Sequence, residues 1–160
     1  MVPRPIRPKQ GWIGLFVWYK KGKKMRNLLE VNCFDTEESI VLLGSCLMGQ
    51  EIVQEVEEKI SSNLYSVCLE STHFNMVVTK VLDIIARKKT KKIAVVTVDK
   101  SPHCVQLHYL TKEIENILED TDVEITDYVV VGGKLVEIPK EVIGLSKNLA
   151  KLTQIQKGEK

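Results

Sequence analysis

Apolar and polar positions along this chain follow two periods, one near two residues and one near three and a half. The switches between them mark out strands and helices. Residues 1 to 10 follow neither and carry Pro3, Pro5 and Pro8, which predicts an extended arm. Trp12 to Tyr19 is aromatic and β-branched, Lys20-Lys21-Gly22-Lys23-Lys24 reads as a turn, and Met25 to Cys33 resumes an apolar run. Together these predict a β-hairpin.

Asp35-Thr36-Glu37-Glu38 has the form of a capping box, and Leu42, Cys46, Gly49, Val53, Val56 and Ile60 recur at steps of four and three. The pattern predicts one helix running from Asp35 toward Ile60. Gly44 and Gly49 weaken it, and the competing reading makes Ile40 to Leu43 a short strand with Gly44-Ser45 as its turn. Leu64 to Glu70 reads as a strand, and Ser71 or Thr72 is placed to cap a helix carrying Phe74, Val77, Val78, Val81, Leu82 and Ile85.

Ile93 to Val98 is an apolar run without alternation, as expected of a central strand covered on both faces. Ser101-Pro102 then opens a helix striped by Leu107, Leu110, Ile114, Ile117 and Leu118. Val123 to Val131 and Lys134 to Ile138 flank Gly132-Gly133 as a second hairpin, and a last helix follows Pro139. The order predicts residues 11 to 160 as a single three-layer α/β domain. Its sheet should be mostly parallel, of the doubly wound, Rossmann-like class, with an antiparallel hairpin at one or both edges.

Composition fits that reading, since 160 residues with 44% hydrophobic and 28% charged side chains suit one ordinary core rather than a disordered chain. No apolar run reaches the length needed to span a bilayer. The basic start followed by Gly11 to Tyr19 imitates a signal peptide but lacks a small-residue cleavage site, so a soluble, cytoplasmic protein is expected. Three alanines among many Lys, Glu, Ile and Val hint at heat adaptation. The net charge of +2 divides unevenly, with eight basic and no acidic residues before Glu30.

Cys33, Cys46, Cys68 and Cys104 form no Cys-x-x-Cys pair and no zinc-finger spacing, which suggests reduced thiols and no metal. A ligand set drawn from His73, His103, Cys104 and Cys33 has suitable chemistry but no matching spacing. Gly44-Ser45-Cys46-Leu47-Met48-Gly49 lacks the Lys-Ser/Thr of a phosphate loop, and no stretch names a cofactor.

Candidate chemistry gathers where open α/β sheets bind ligands, past the carboxyl ends of the strands. Cys33 and Asp35, then Ser71, Thr72 and His73, then Asp99, Ser101, His103 and Cys104 are expected along that edge. Cys104 falls near the start of its helix with His108 one turn on. That spacing suggests a reactive thiol with an imidazole as proton acceptor, helped by His103 and Asp99, and makes Cys104 the expected most reactive cysteine. Ser71, Thr72, His73 and Ser101 are the expected ligand-binding residues.

Two functions follow. One is a small ligand-binding or thiol-dependent protein acting at the Cys104 region. The other is a non-catalytic module whose basic aromatic hairpin, with Trp12, Phe16, Trp18 and Tyr19 beside Lys20 to Arg26, contacts nucleic acid or a protein partner.

Overall fold

The computed structural model describes residues 25–61, 63–87, 89–118 and 121–158. The arm, the first arm of the expected amino-terminal hairpin and its lysine turn lie outside these residues. Where Met25 to Cys33 was expected as a strand, only β1 (Arg26–Asn27) is extended. Two 3-10 turns follow, because the Asn27 and Asn32 side chains accept hydrogen bonds from the N–H groups of Leu29 and Phe34 and turn the chain.

The expected long helix from Asp35 is also corrected. Its first half is β2 (Ser39–Gly44), followed by a 3-10 turn at Ser45–Leu47, and only its second half is helical, as α1 (Ile52–Lys59). Ile40, Val41, Leu42 and Leu43 are fully buried in succession. A helix would have turned some of them to water, whereas a central strand covers them all. Asp35, the expected cap, lies in the second 3-10 turn instead, and Thr36 beside it is buried against Cys33 and Thr90.

The remaining elements are β3 (Leu64–Val67), α2 (Phe74–Ala86), β4 (Lys92–Val98), α3 (Pro102–Ile117), β5 (Glu124–Val131), β6 (Lys134–Glu137), α4 (Lys140–Ser146) and α5 (Leu149–Gln156). They build one six-stranded sheet in the order β1-β3-β2-β4-β5-β6. Every pairing is parallel except the closing β5–β6 hairpin. Gly132 and Gly133 turn that hairpin at φ +55° and +77°, a region that glycine enters without steric cost.

Alternation along the strands divides the core in two. Ile40, Leu42, Val95 and Ile125 pack under α2 and α3. Val41, Leu43, Ala94, Val96 and Val130 pack with Val53 and Val56 of α1 on the opposite face. The chain leaving β2 thus goes to one face, and the chain leaving the adjacent β4 goes to the other. That divergence opens a crevice at the carboxyl ends of β2 and β4, the topological switch point of the sheet.

The last helix is broken at Lys147–Asn148, where Asn148 accepts from the Lys151 N–H and starts α5 afresh. Helix α4 lies against α3 through the Lys140–Glu115 ion pair and a 3.1 Å Tyr109–Ser146 hydroxyl contact. No residue of α5 is buried. Among the described residues, no helix is long and apolar enough to cross a membrane.

Candidate functional site

The carboxyl edge carries two cavities on either side of the start of α3. The smaller, about 50 Å³, is the switch-point crevice. Cys46 follows β2, Cys68 is the first residue past β3 and Cys104 lies in the first turn of α3. All three line this crevice together with Glu70, Ser101 and His103. Gly44 closes its floor: a β-carbon added there would stand 3.3 Å from the Cys104 sulfur.

The three thiols differ in environment. Burial alone would raise the Cys68 thiol. The polar hydrogens of Ser71 and Glu70 beside the sulfur outweigh that cost and hold it below its ordinary value, while the Ser71 hydroxyl also reaches the Cys68 carbonyl oxygen at 3.4 Å. Burial pushes the Cys46 thiol up, and the facing Cys104 thiol adds to the shift, followed by Cys68 and Glu70. Cys104 is buried, and Ser101 caps its helix by accepting from the Cys104 N–H at 3.3 Å.

Cys33 is elsewhere. It is buried in the core under α2, where burial and Asp83 raise its thiol, so it does not join His73, His103 and Cys104. His73 sits exposed at the start of α2 and, like Thr72, lines neither cavity, whereas Ser71 reaches the site through Cys68. Among the described residues, no cluster is arranged to hold a metal ion.

The larger cavity is an open cleft of about 630 Å³ between α3, α4 and the β5–β6 hairpin. Val105, Val129, Val136, Val142 and Ile143 form much of its wall, while Thr97, Asp99, Ser101 and His108 supply polar groups. The Asp99-Lys100 turn at its mouth holds Lys100 at φ 64°, in the left-handed region.

The expected partnership of His108 with Cys104 is corrected by this geometry. His108 points into the sheet, with Nδ1 2.7 Å from Asp127 Oδ1 and Nε2 2.7 Å from Thr97 Oγ1. A carboxylate accepts, so Nδ1–H donates to Asp127, and Nε2 is paired with the Thr97 hydroxyl. Both ring nitrogens are then occupied, and neither is free to take a proton from Cys104. The Thr111 hydroxyl completes the group, 2.7 Å from the His108 carbonyl and 3.2 Å from Asp127. Thr97, His108 and Asp127 are 1%, 2% and 3% exposed, so this hydroxyl–imidazole–carboxylate chain is closed to water, and its Thr97 and His108 members line the cleft.

Strand parity offered a signal for that network. Thr97 falls in phase with Ile93 and Val95, and Asp127 with Ile125, so both are polar residues on a core face and require a buried partner. Nothing in the cysteine spacing foretold the crevice, because residues 46, 68 and 104 meet only through strand order.

No curated protein matches this chain significantly. A family model described as a Rossmann-like domain matches residues 36–160, the segment that builds β2 through α5. On that match, and on a mostly parallel sheet covered by helices on both faces, the chain belongs to the Rossmann-like domain family.

Proposed function

We propose that this protein binds a small organic molecule in the cleft past the carboxyl ends of β4 and β5. One observation carries the reading: a cleft of about 630 Å³ with mainly valine, isoleucine and proline walls, interrupted by polar groups that include Thr97, Asp99, Ser101 and Glu137. Ligand sites have that size and that balance, and the cleft shares the carboxyl edge of the sheet with the switch-point crevice beside it. The ligand's apolar body lies over Val129, Val136 and Val142, and its polar end meets the turn from Asp99 to Ser101.

The buried Thr97–His108–Asp127 chain fixes the inner wall in one arrangement, so the cleft is preformed and little ordering opposes binding. Ser101 and Asp99 serve as ligand contacts, and His108 as a wall residue.

A library of small aromatic and aliphatic carboxylates, alcohols and amides, screened by protein-observed NMR, tests the proposal. Hits should perturb the amides of Asp99 to Ser101 and the methyl groups of Val136 and Val142. Val142→Trp should fill the cleft and weaken those hits at least tenfold while the chain stays folded. Hits that map elsewhere, or that bind the Trp variant equally well, would reject it.

A further inference from the structure

The second cavity has a different chemistry. Strands β3, β2 and β4 are consecutive in the sheet, with Gly44 paired to Val67 and Leu43 to Val96. The chain leaving each of the three strands supplies one cysteine to the crevice. We propose that Cys46, Cys68 and Cys104 form a thiol relay that is oxidised by low-molecular-weight disulfides, with Cys68 attacked first and Cys46–Cys104 as the final bridge.

Size and exposure set the order. A space of about 50 Å³ holds a water or two and no organic molecule, so an incoming disulfide meets the rim rather than the interior. Cys46 and Cys68 are accessible at that rim, whereas Cys104 is buried behind them. Of the two accessible thiols, Cys68 is the better nucleophile: the turn after β3 folds Ser71 back onto Cys68, with its hydroxyl 3.4 Å from the Cys68 carbonyl oxygen, and sets polar hydrogens beside the sulfur that favour its thiolate.

The chemistry then runs in three exchanges. The Cys68 thiolate attacks one sulfur of the substrate RSSR. The S–S bond breaks, one RS⁻ leaves, and Cys68 carries a mixed disulfide. Cys46, having lost its proton, attacks the Cys68 sulfur and expels the second RS⁻. Cys104, also deprotonated, attacks the Cys46 sulfur, which forms the Cys46–Cys104 bridge and restores the Cys68 thiolate. The protons from Cys46 and Cys104 end on the two leaving thiols. The protein has lost two electrons, and the substrate has been reduced to two RSH. The bridge settles at Cys46 and Cys104 because the Cys104 sulfur lies against Gly44, two residues before Cys46, and both thiols line the same small crevice.

The test is oxidation of the full-length, fully reduced protein by glutathione disulfide, followed by acid quenching and peptide mapping. The expected product lacks two hydrogens, contains a cross-linked pair of Cys46 and Cys104 peptides, and leaves Cys33 and Cys68 as thiols. Cys46→Ser should trap glutathione on Cys68, and Cys104→Ser should stop at a Cys46–Cys68 bridge. Cys68→Ser should slow bridge formation at least tenfold, whereas Cys33→Ser should leave the rate unchanged. Circular dichroism of each variant separates loss of exchange from loss of fold, and the wild-type map needs no variant at all. A wild-type protein that keeps four thiols, bridges through Cys33, or carries a stable glutathione adduct overturns the relay. So does a metal ion that co-purifies on the three sulfurs and blocks exchange. None of these outcomes depends on the neighbouring cleft.

Discussion

His108 is the residue whose sequence context misleads most. Its place one turn after Cys104 suggests a catalytic base, yet its ring is held from both sides by Thr97 and Asp127. Asp127→Ala removes the acceptor for the imidazole and one partner of Thr111 in a closed space. The expected loss is roughly 2–4 kcal/mol of stability, read from the shift in denaturant midpoint. Asp127→Asn keeps the shape and a carbonyl acceptor and should lose less. The cysteines make a second residue-scale prediction. A thiol held below its ordinary value has more thiolate near neutral pH, so Cys68 should be alkylated first as pH rises. Cys46 should follow only at higher pH, and buried Cys104 should be slowest in the native state. Native alkylation at stepped pH with peptide mass readout checks the order. Equal rates for Cys46 and Cys68 would remove the distinction on which it rests.

At the scale of elements, the start of α3 and the end of β2 are matched parts. Ser101 accepts from the Cys104 N–H, and Pro102 occupies the first turn, so the best-marked helix start in the sequence is the helix start observed. Ser101→Ala should cost about 1 kcal/mol in thermal or chemical unfolding. Gly44 is required for a different reason. Its φ is ordinary at −56°, but an added β-carbon would press on the Cys104 sulfur at 3.3 Å. Gly44→Ala alone should therefore destabilise by about 1–2 kcal/mol through overpacking. The same change in a Cys104→Ala background should cost measurably less, because the sulfur it collides with is gone. A double-mutant cycle reads the coupling, and strict additivity would show that the contact carries no strain.

For the whole molecule, the sheet order sets where stability resides. Strand β4 lies between β2 and β5 with both faces covered, so the amides of Val95 and Val96 should exchange with solvent only through global unfolding. Amides of the edge strand β6 should exchange orders of magnitude faster. Comparable rates in the two strands would contradict the central placement of β4. Helix α5 stands at the other extreme. Leu149 and Ile155 are 76% and 53% exposed, and its amides should be among the least protected in the chain.

Much of this architecture was legible in the residues. The unbroken run Ile93 to Val98, the Ser101-Pro102 helix start and the Gly132-Gly133 turn each report a local rule: burial on both faces, capping, and positive φ. They gave the α/β class and the antiparallel edge correctly. The segment from Asp35 to Ile60 failed because four consecutive apolar residues fit a strand and a helix equally well. Only the neighbours β3 and β4, brought alongside by tertiary pairing, decide that Ile40 to Leu43 is a strand. The sites divide in the same way. Asp99, Ser101, His103 and Cys104 reach the carboxyl edge because a strand end and a helix start adjoin in sequence. The three-thiol crevice and the Thr97–His108–Asp127 chain join residues 11 to 58 positions apart, and no local rule fixes such distances. They exist because strand order sets which chain ends become neighbours, and that order follows from burying both faces of one sheet at once.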